Sequence, residues 1–301
     1  MTCLNLYTST TAAFGGQECE FADAEYVVIG VPFDATSTYR SGSRFAPLAI
    51  REASLNIETH SLRAGIDLEE LSIHDAGDLH VTGDVDETLR RLEVVSDEIL
   101  SVGKIPAFMG GEHTITLGTS KGIRKDFAML CFDAHLDLRN TYMVQTVCHA
   151  TVMRRICETV KPSRIVEVGT RAVCKEEIEY AKGQGIIYIS SNRTMQAGAE
   201  KAAEEINELL AGYDRVYLTV DMDVLDPAFA PAVQNPEPDG LSTHQLLDLL
   251  SLTCSRRIVA FDVVEVAPHY DMGTTSILAA KIIFEILTSI HRDNRARTNV
   301  D

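Results

Sequence analysis

Short apolar runs alternate along this chain with stretches of amphipathic helical length, and three of the runs end in clusters of carboxylate and imidazole side chains. The runs occupy residues 26–31, 71–74, 105–109, 127–132, 164–168, 186–190, 216–220 and 258–264, each bounded by turn-forming residues, and read as buried strands. Residues 84–102 form the clearest helix between them. Asp84 is placed to cap it, Asp86 and Glu87 occupy its positive first turn, and Val85, Leu89, Leu92 and Leu100 trace one stripe. Gly103 then stops it. Residues 197–210 and 242–252 repeat the pattern, with Ser242 or Thr243 as N-cap. Such alternation predicts a parallel sheet covered by helices on both faces. The pattern does not choose between an open sheet and an eight-stranded barrel, but either architecture places ligands at strand C-terminal ends.

The strand-end clusters carry the chemistry. Asp133-Ala-His135-Leu-Asp137 closes one run and Asp221-Met-Asp223 closes another. Residues two apart on an extended backbone point the same way, so Asp133, His135 and Asp137 share one face and Asp221 and Asp223 another. Carboxylates gathered inside a fold repel one another unless a cation neutralises them. These groups are too many for one tetrahedral zinc. They suit a pair of harder divalent ions, manganese first among them for mixed carboxylate and imidazole donors. Met109-Gly110-Gly111-Glu112-His113-Thr114 supplies a further imidazole at a strand-to-helix corner, where the two glycines permit a sharp turn and close backbone approach.

With 301 residues and 45% apolar content, residues 1–301 read as one domain, with 1–24 an N-terminal extension and about 291–301 a loose C-terminal tail. No run of eighteen apolar residues and no secretory N-terminal pattern occurs, which argues against a membrane partner. Seven cysteines without a Cys-x-x-Cys pair predict reduced thiols in a cytoplasm, Cys131 and Cys254 as small buried hydrophobes. A formal net charge of −17 disfavours nucleic acid and favours the approach of a cationic small molecule. The Pro/Gly-rich stretch 228–240 directly follows the last aspartate pair and reads as a functional loop.

These motifs resemble those of the ureohydrolases, the family of arginase and agmatinase. The likeness lies in Gly110-Gly-Glu-His113, in Phe132-Asp133-Ala-His135-Leu-Asp137 and in Thr219-Val-Asp221-Met-Asp223-Val-Leu-Asp226-Pro227. It extends to Tyr39-Arg-Ser-Gly-Ser-Arg-Phe-Ala-Pro47, Asp75-Ala-Gly-Asp78, Val168-Gly-Thr-Arg171 and Asp262-Val-Val-Glu265-Val-Ala-Pro268, in the family's order over roughly residues 25–290. The resemblance implies a three-layer α/β/α fold with an open, mostly parallel eight-stranded sheet. It also implies two Mn2+ per chain and a homo-oligomer, trimeric or hexameric. One ion would be held by His113, Asp133, Asp137 and Asp221, the other by His135, Asp133, Asp221 and Asp223, so that Asp133 and Asp221 bridge.

Two divalent ions roughly 3.5–4 Å apart can share a water and bring its pKa toward neutrality, which suits attack on a poorly electrophilic guanidinium carbon. His149, twelve residues after Asp137, matches the family's loop histidine and is of the pKa class for a proton shuttle. Glu265 matches the glutamate that pairs with the substrate guanidinium, whose planar fork a carboxylate meets in bidentate fashion. Asp226 reads as turn-forming, Asp75 and Asp78 as loop-stabilising, and Arg171 as structural.

Two departures bear on the substrate. Arginases carry a Ser/Asn-rich loop before the histidine and an aspartate after Gly-x-Arg, which hold the α-carboxylate and α-amino group of arginine. Here Asn140-Thr-Tyr-Met-Val-Gln-Thr-Val-Cys148 and Ala172-Val-Cys174 stand in those places. That favours a small cationic guanidine with a plain aminoalkyl tail, such as agmatine. Gln234-Asn235-Pro236-Glu-Pro-Asp239-Gly240 replaces the family's Gly-Thr, Pro and Gly-Gly pattern, leaving guanidinobutyrate, aminopropylagmatine or arginine as alternative substrates. A catalytically silent ligand-binding paralogue is the rival reading from another class.

Overall fold

The computed structural model describes residues 2–9, 12–16 and 19–298, with side chains described as far as residue 296. Among the described residues nine strands form the main sheet: β1 (Thr8–Ser9), β2 (Tyr26–Gly30), β3 (Ile73–Leu79), β4 (Ile105–Met109) and β5 (Ala128–Phe132) in the first half. The second half adds β6 (Arg164–Thr170), β7 (Ile187–Ser190), β8 (Val216–Asp221) and β9 (Ile258–Val264). Their spatial order is β1-β3-β2-β4-β9-β8-β5-β6-β7, an open sheet. Every pairing is parallel except that of β1 with β3, where Thr8 faces Leu79.

The count corrects the expected eight. The ninth strand comes from the segment read as an N-terminal extension, and at two residues it is too short to show periodicity. The remaining eight follow the apolar runs, with β4 and β9 as anticipated. β3 runs further than 71–74 because its polar Asp75-Ala-Gly-Asp78 continues the ladder.

Side-chain alternation divides the strands between two cores. Val28, Met109, Leu130, Leu218 and Phe261 point to one face. There they meet helices Ala46–Ser54, Ala199–Leu209, Thr243–Thr253 and Thr274–Thr298. Val27, Ile29, Phe108, Met129 and Tyr217 point to the other face, covered by helices Val85–Ser101, Ile115–Lys121, Val152–Thr159 and Lys175–Gln184. Each fully buried aliphatic or aromatic side chain contributes about 1.5–3 kcal/mol, so the two faces together dominate the stability. The Asp84 and Ser242 caps form as the sequence indicates.

Helix Thr274–Thr298 corrects another expectation. Residues from His291 onward continue it instead of forming a loose tail; only 299–301 of that segment lie outside the described residues. Polar contacts replace the missing apolar ones: Arg292 donates to the Ser251 carbonyl at 2.7 Å, His291 Nδ1 stands 3.4 Å from Glu25, and Arg295 pairs with Glu70. Residues 274–296 have the length and composition of a membrane span, yet 78% of the apolar window is buried against the sheet, which marks a core helix.

Candidate metal centre and active site

The chemistry-bearing residues meet at the C-terminal ends of four neighbouring central strands, β4, β9, β8 and β5. After β4 the backbone is left-handed at Gly110 (φ 75°) and Gly111 (φ 80°). A Cβ on Gly111 would lie 2.6 Å from the Val31 carbonyl oxygen, so glycine alone lets the chain pass there and deliver His113 inward. After β8, the Asp223 N–H donates to Asp221 Oδ1 at 2.9 Å, and this short turn presents both carboxylates. Asp137 and Glu265 have positive φ (49° and 71°), an uncommon state for side-chain-bearing residues that concentrates at functional sites.

Two imidazoles anchor the cluster. His113 Nδ1 lies 3.1 Å from Asp133 Oδ2, 3.1 Å from Asp137 Oδ2 and 3.4 Å from Asp221 Oδ2, while its Nε2 meets Thr219 Oγ1 at 3.0 Å. His135 Nδ1 lies 3.2 Å from Asp223 Oδ2 and 3.5 Å from Asp133 Oδ1. Asp133 therefore turns one oxygen toward each imidazole. Asp221 faces His113; the contacts do not bring it to His135. All six expected metal ligands thus fall in one cluster.

The donor set fits cations. His113 Nδ1 and Asp133 Oδ2 are fully buried, and despite their proximity neither completes an aligned hydrogen bond. Burial, then the charge of Asp133, pushes Asp137 up to about 7. Asp221 is raised by burial and by Asp223. Burial would lower both histidines, but the facing carboxylates raise His113 and His135 well above the ordinary imidazole value. Without cations the cluster relieves its repulsion by holding protons. Divalent ions on the Nδ1 atoms and carboxylate oxygens would displace those protons and satisfy the orphaned lone pairs.

A polar cavity of about 550 Å³ opens onto this cluster. His135, Asp137 and His149 form part of its wall, with Thr38, Arg139, Tyr142 and Glu237. His149 is buried, its Nε2 is 3.1 Å from Thr38 Oγ1, and its Nδ1 has no partner. Burial, then the neighbouring His135, pushes it down to about 4, so it is neutral at pH 7. Glu265 is not part of the cavity wall. It lies buried beside His113, accepts that residue's N–H on Oε1 at 2.6 Å, and keeps Oε2 buried without a partner.

Arg171 donates to the carbonyls of Asp223 (2.7 Å), Glu237 (2.8 Å) and Pro238 (2.9 Å). It clamps the loop after β8 to the strand end, a structural task. Asp226 accepts from the backbone N–H groups of Ala228, Asp239 and Gly240, which makes it turn-forming. Asp75 and Asp78 receive the fully buried Arg51 at 2.8 and 2.6 Å.

The 34–38 segment, which carries no metal-type motif, also shapes the site. Glu112 accepts from the Thr36 N–H at 2.9 Å, from Thr36 Oγ1 and from Ser37 Oγ at 3.2 Å, fixing the turn that brings Thr38 to His149. The polar run Ala35-Thr-Ser-Thr38 just after a strand was the available signal. Cys131, read as a buried hydrophobe, is buried but also places its sulfur within 4.8 Å of the donor atoms of His113 and Asp133.

This arrangement has relatives. A model described as the Arginase family matches residues 24–288. The agmatinase of Bacillus anthracis is 36% identical over 276 residues, which are 89% of this chain and 92% of that protein. The N(1)-aminopropylagmatine ureohydrolase of Thermococcus kodakarensis is 35% identical over 283 residues, covering 93% and 95%. The solved structure of agmatine ureohydrolase from Thermoplasma volcanium superposes with a TM-score of 0.89 at 38% identity, over 96% of this chain and 97% of that one. Family match, identity, superposition and near-complete coverage agree: the chain belongs to the arginase family, as an agmatinase-like ureohydrolase, a hydrolase of carbon–nitrogen bonds in guanidino compounds.

Proposed function

We propose that this chain hydrolyses agmatine to putrescine and urea with two manganese ions. The observation that carries the reading is the pair of imidazole Nδ1 atoms, each faced by carboxylate oxygens and joined through the two oxygens of Asp133. His113, Asp133, Asp137 and Asp221 would hold one ion, and His135, Asp133, Asp221 and Asp223 the other. Oxygen-rich donors with two imidazoles suit manganese. When bound, the pair supplies Lewis acidity that activates water near neutral pH.

The protein's own groups do the rest. The substrate guanidinium is assigned to Glu265 on its match to the family's glutamate: its Oε2 is buried and partnerless behind the cavity wall beside His113, and its backbone is held by its own N–H donating to the Gly111 carbonyl at 2.9 Å. His149 carries a proton to the leaving nitrogen. Its position is fixed through Nε2 by Thr38, and its neutrality at pH 7 lets it take a proton before giving one. The seven free cysteines support a reducing, cytoplasmic setting.

Agmatine is favoured over arginine because the 140–148 loop has no Ser-x-Asn pair for an α-carboxylate. A second reading, aminopropylagmatine, is supported by the name of the Thermococcus relative. Urea release from manganese-loaded protein offered agmatine, aminopropylagmatine, 4-guanidinobutyrate and arginine tests this. Agmatine gives the highest kcat/KM, above arginine by several orders of magnitude. Equal rates, or faster arginine turnover, would sink the reading.

A further inference from the structure

Among the described residues, the cavity wall contains five Asp, Glu and Arg side chains, Asp137, Arg139, Arg171, Glu177 and Glu237, and three of them are already engaged. Asp137 faces His113. Glu177 accepts the Leu138 N–H at 3.1 Å on one oxygen and the Cys174 N–H at 2.9 Å on the other. Arg171 directs its donors at backbone carbonyls. Arg139 lies with its guanidinium carbon 5.1 Å from the centroid of the Tyr142 ring, a cation–π contact that occupies one face of the charge. The Glu237 carboxylate alone has no hydrogen bond, ion pair or ring contact among the described residues, and it is half-buried on the wall.

Its backbone is the opposite of free. Arg171 takes the carbonyls of both Glu237 and Pro238 and ties them to the Asp223 carbonyl, so the unpaired carboxylate is presented from a fixed frame beside the candidate metal cluster. Asp239, two residues on, is exposed and absent from the wall, and its N–H is turned to Asp226. A partly desolvated carboxylate held without a partner over a cavity is suited to a cation arriving with the ligand. We propose that Glu237 is the residue that selects the distal end of the substrate, receiving a primary or secondary ammonium, with Arg171 as the residue that positions it. The inference rests on the ureohydrolase reading above and narrows it to guanidines with cationic tails.

The test compares kcat/KM for agmatine with that for butylguanidine, which has the same guanidine and carbon chain but no amine, and for 4-guanidinobutyrate. Glu237→Gln keeps shape and removes charge. The expected result is a fall of about ten- to a hundredfold in the agmatine-to-butylguanidine ratio, the scale of a lost hydrogen bond to a charged group, with butylguanidine turnover held. Asp239→Asn leaves the ratio unchanged. Arg171→Lys lowers the same ratio, raising KM for agmatine more than KM for butylguanidine. An unchanged ratio in Glu237→Gln, or a wild-type preference for 4-guanidinobutyrate that Arg139→Gln abolishes, overturns the assignment. If the wild-type protein released urea from none of the three guanidines, the functional reading itself would fail, so the two failures are distinct.

Discussion

Asp133 turns its oxygens toward both His113 and His135, whereas Asp223 faces His135 alone. Replacing Asp133 with Asn should therefore abolish both metal sites, and Asp223→Asn should leave one ion near His113. Metal analysis after manganese loading and desalting gives stoichiometries near zero and one, and equal losses from the two variants would contradict the shared role. His149→Ala should keep both ions and the fold but slow kcat by about 10²–10⁴, the usual range for a general acid–base group. A wild-type rate would make the residue merely structural. Protons compete with the cations at the same atoms. His113 and His135 are raised, and Asp137 titrates at about 7, so the metal-free cluster still holds protons at neutrality. Metal binding expels those protons, so manganese affinity should rise as pH rises from about 6 to 8. Calorimetry in buffers of different ionisation enthalpy reads the released protons directly, and a flat affinity over that range would be the contrary result.

Helix Ala46–Ser54 is joined to β3 through Arg51, whose side chain is 0% exposed and pairs with Asp75 and Asp78. Breaking a buried pair by removing one partner leaves uncompensated charge, at a cost of about 3–5 kcal/mol. Arg51→Met should thus lower the unfolding free energy read from urea titration by that amount, while Arg44→Met, at an Arg whose side chain is 55% exposed, should change it far less. Element boundaries followed local chemistry closely where one rule dominated. Val85–Ser101 begins at its aspartate cap and ends just before Gly103. β3 and the end of helix Thr274–Thr298 did not follow, because polar side chains there are held by distant partners such as Arg51, Ser251 and Glu70, which local periodicity does not register.

Across the whole molecule, the candidate centre ties together the ends of β4, β5 and β8, elements spread over more than a hundred residues of sequence. Ions bound to the folded state alone stabilise it by mass action, by about 4 kcal/mol at a thousandfold excess over Kd. Chelation should lower Tm, and manganese should restore it; calorimetric scans with and without chelator that coincide would show that no such coupling exists.

The alternating apolar runs and the spacing of Asp133, His135, Asp137, Asp221 and Asp223 determined by themselves a parallel sheet covered by helices, the strand-end position of the chemistry and the kind of ligand it suits. Those are local properties: a period of two fixes which side chains share a face, and burial of several carboxylates demands compensation. Which strands stand side by side was decided only in three dimensions, where β9 comes between β4 and β8 and brings Glu265 against His113. The tertiary structure also chose Glu237 over Asp239 for the cavity wall and gave Arg171 its carbonyls. Such choices depend on contacts between residues tens of positions apart. Chain order does not encode them, because they follow from how two cores pack across one sheet.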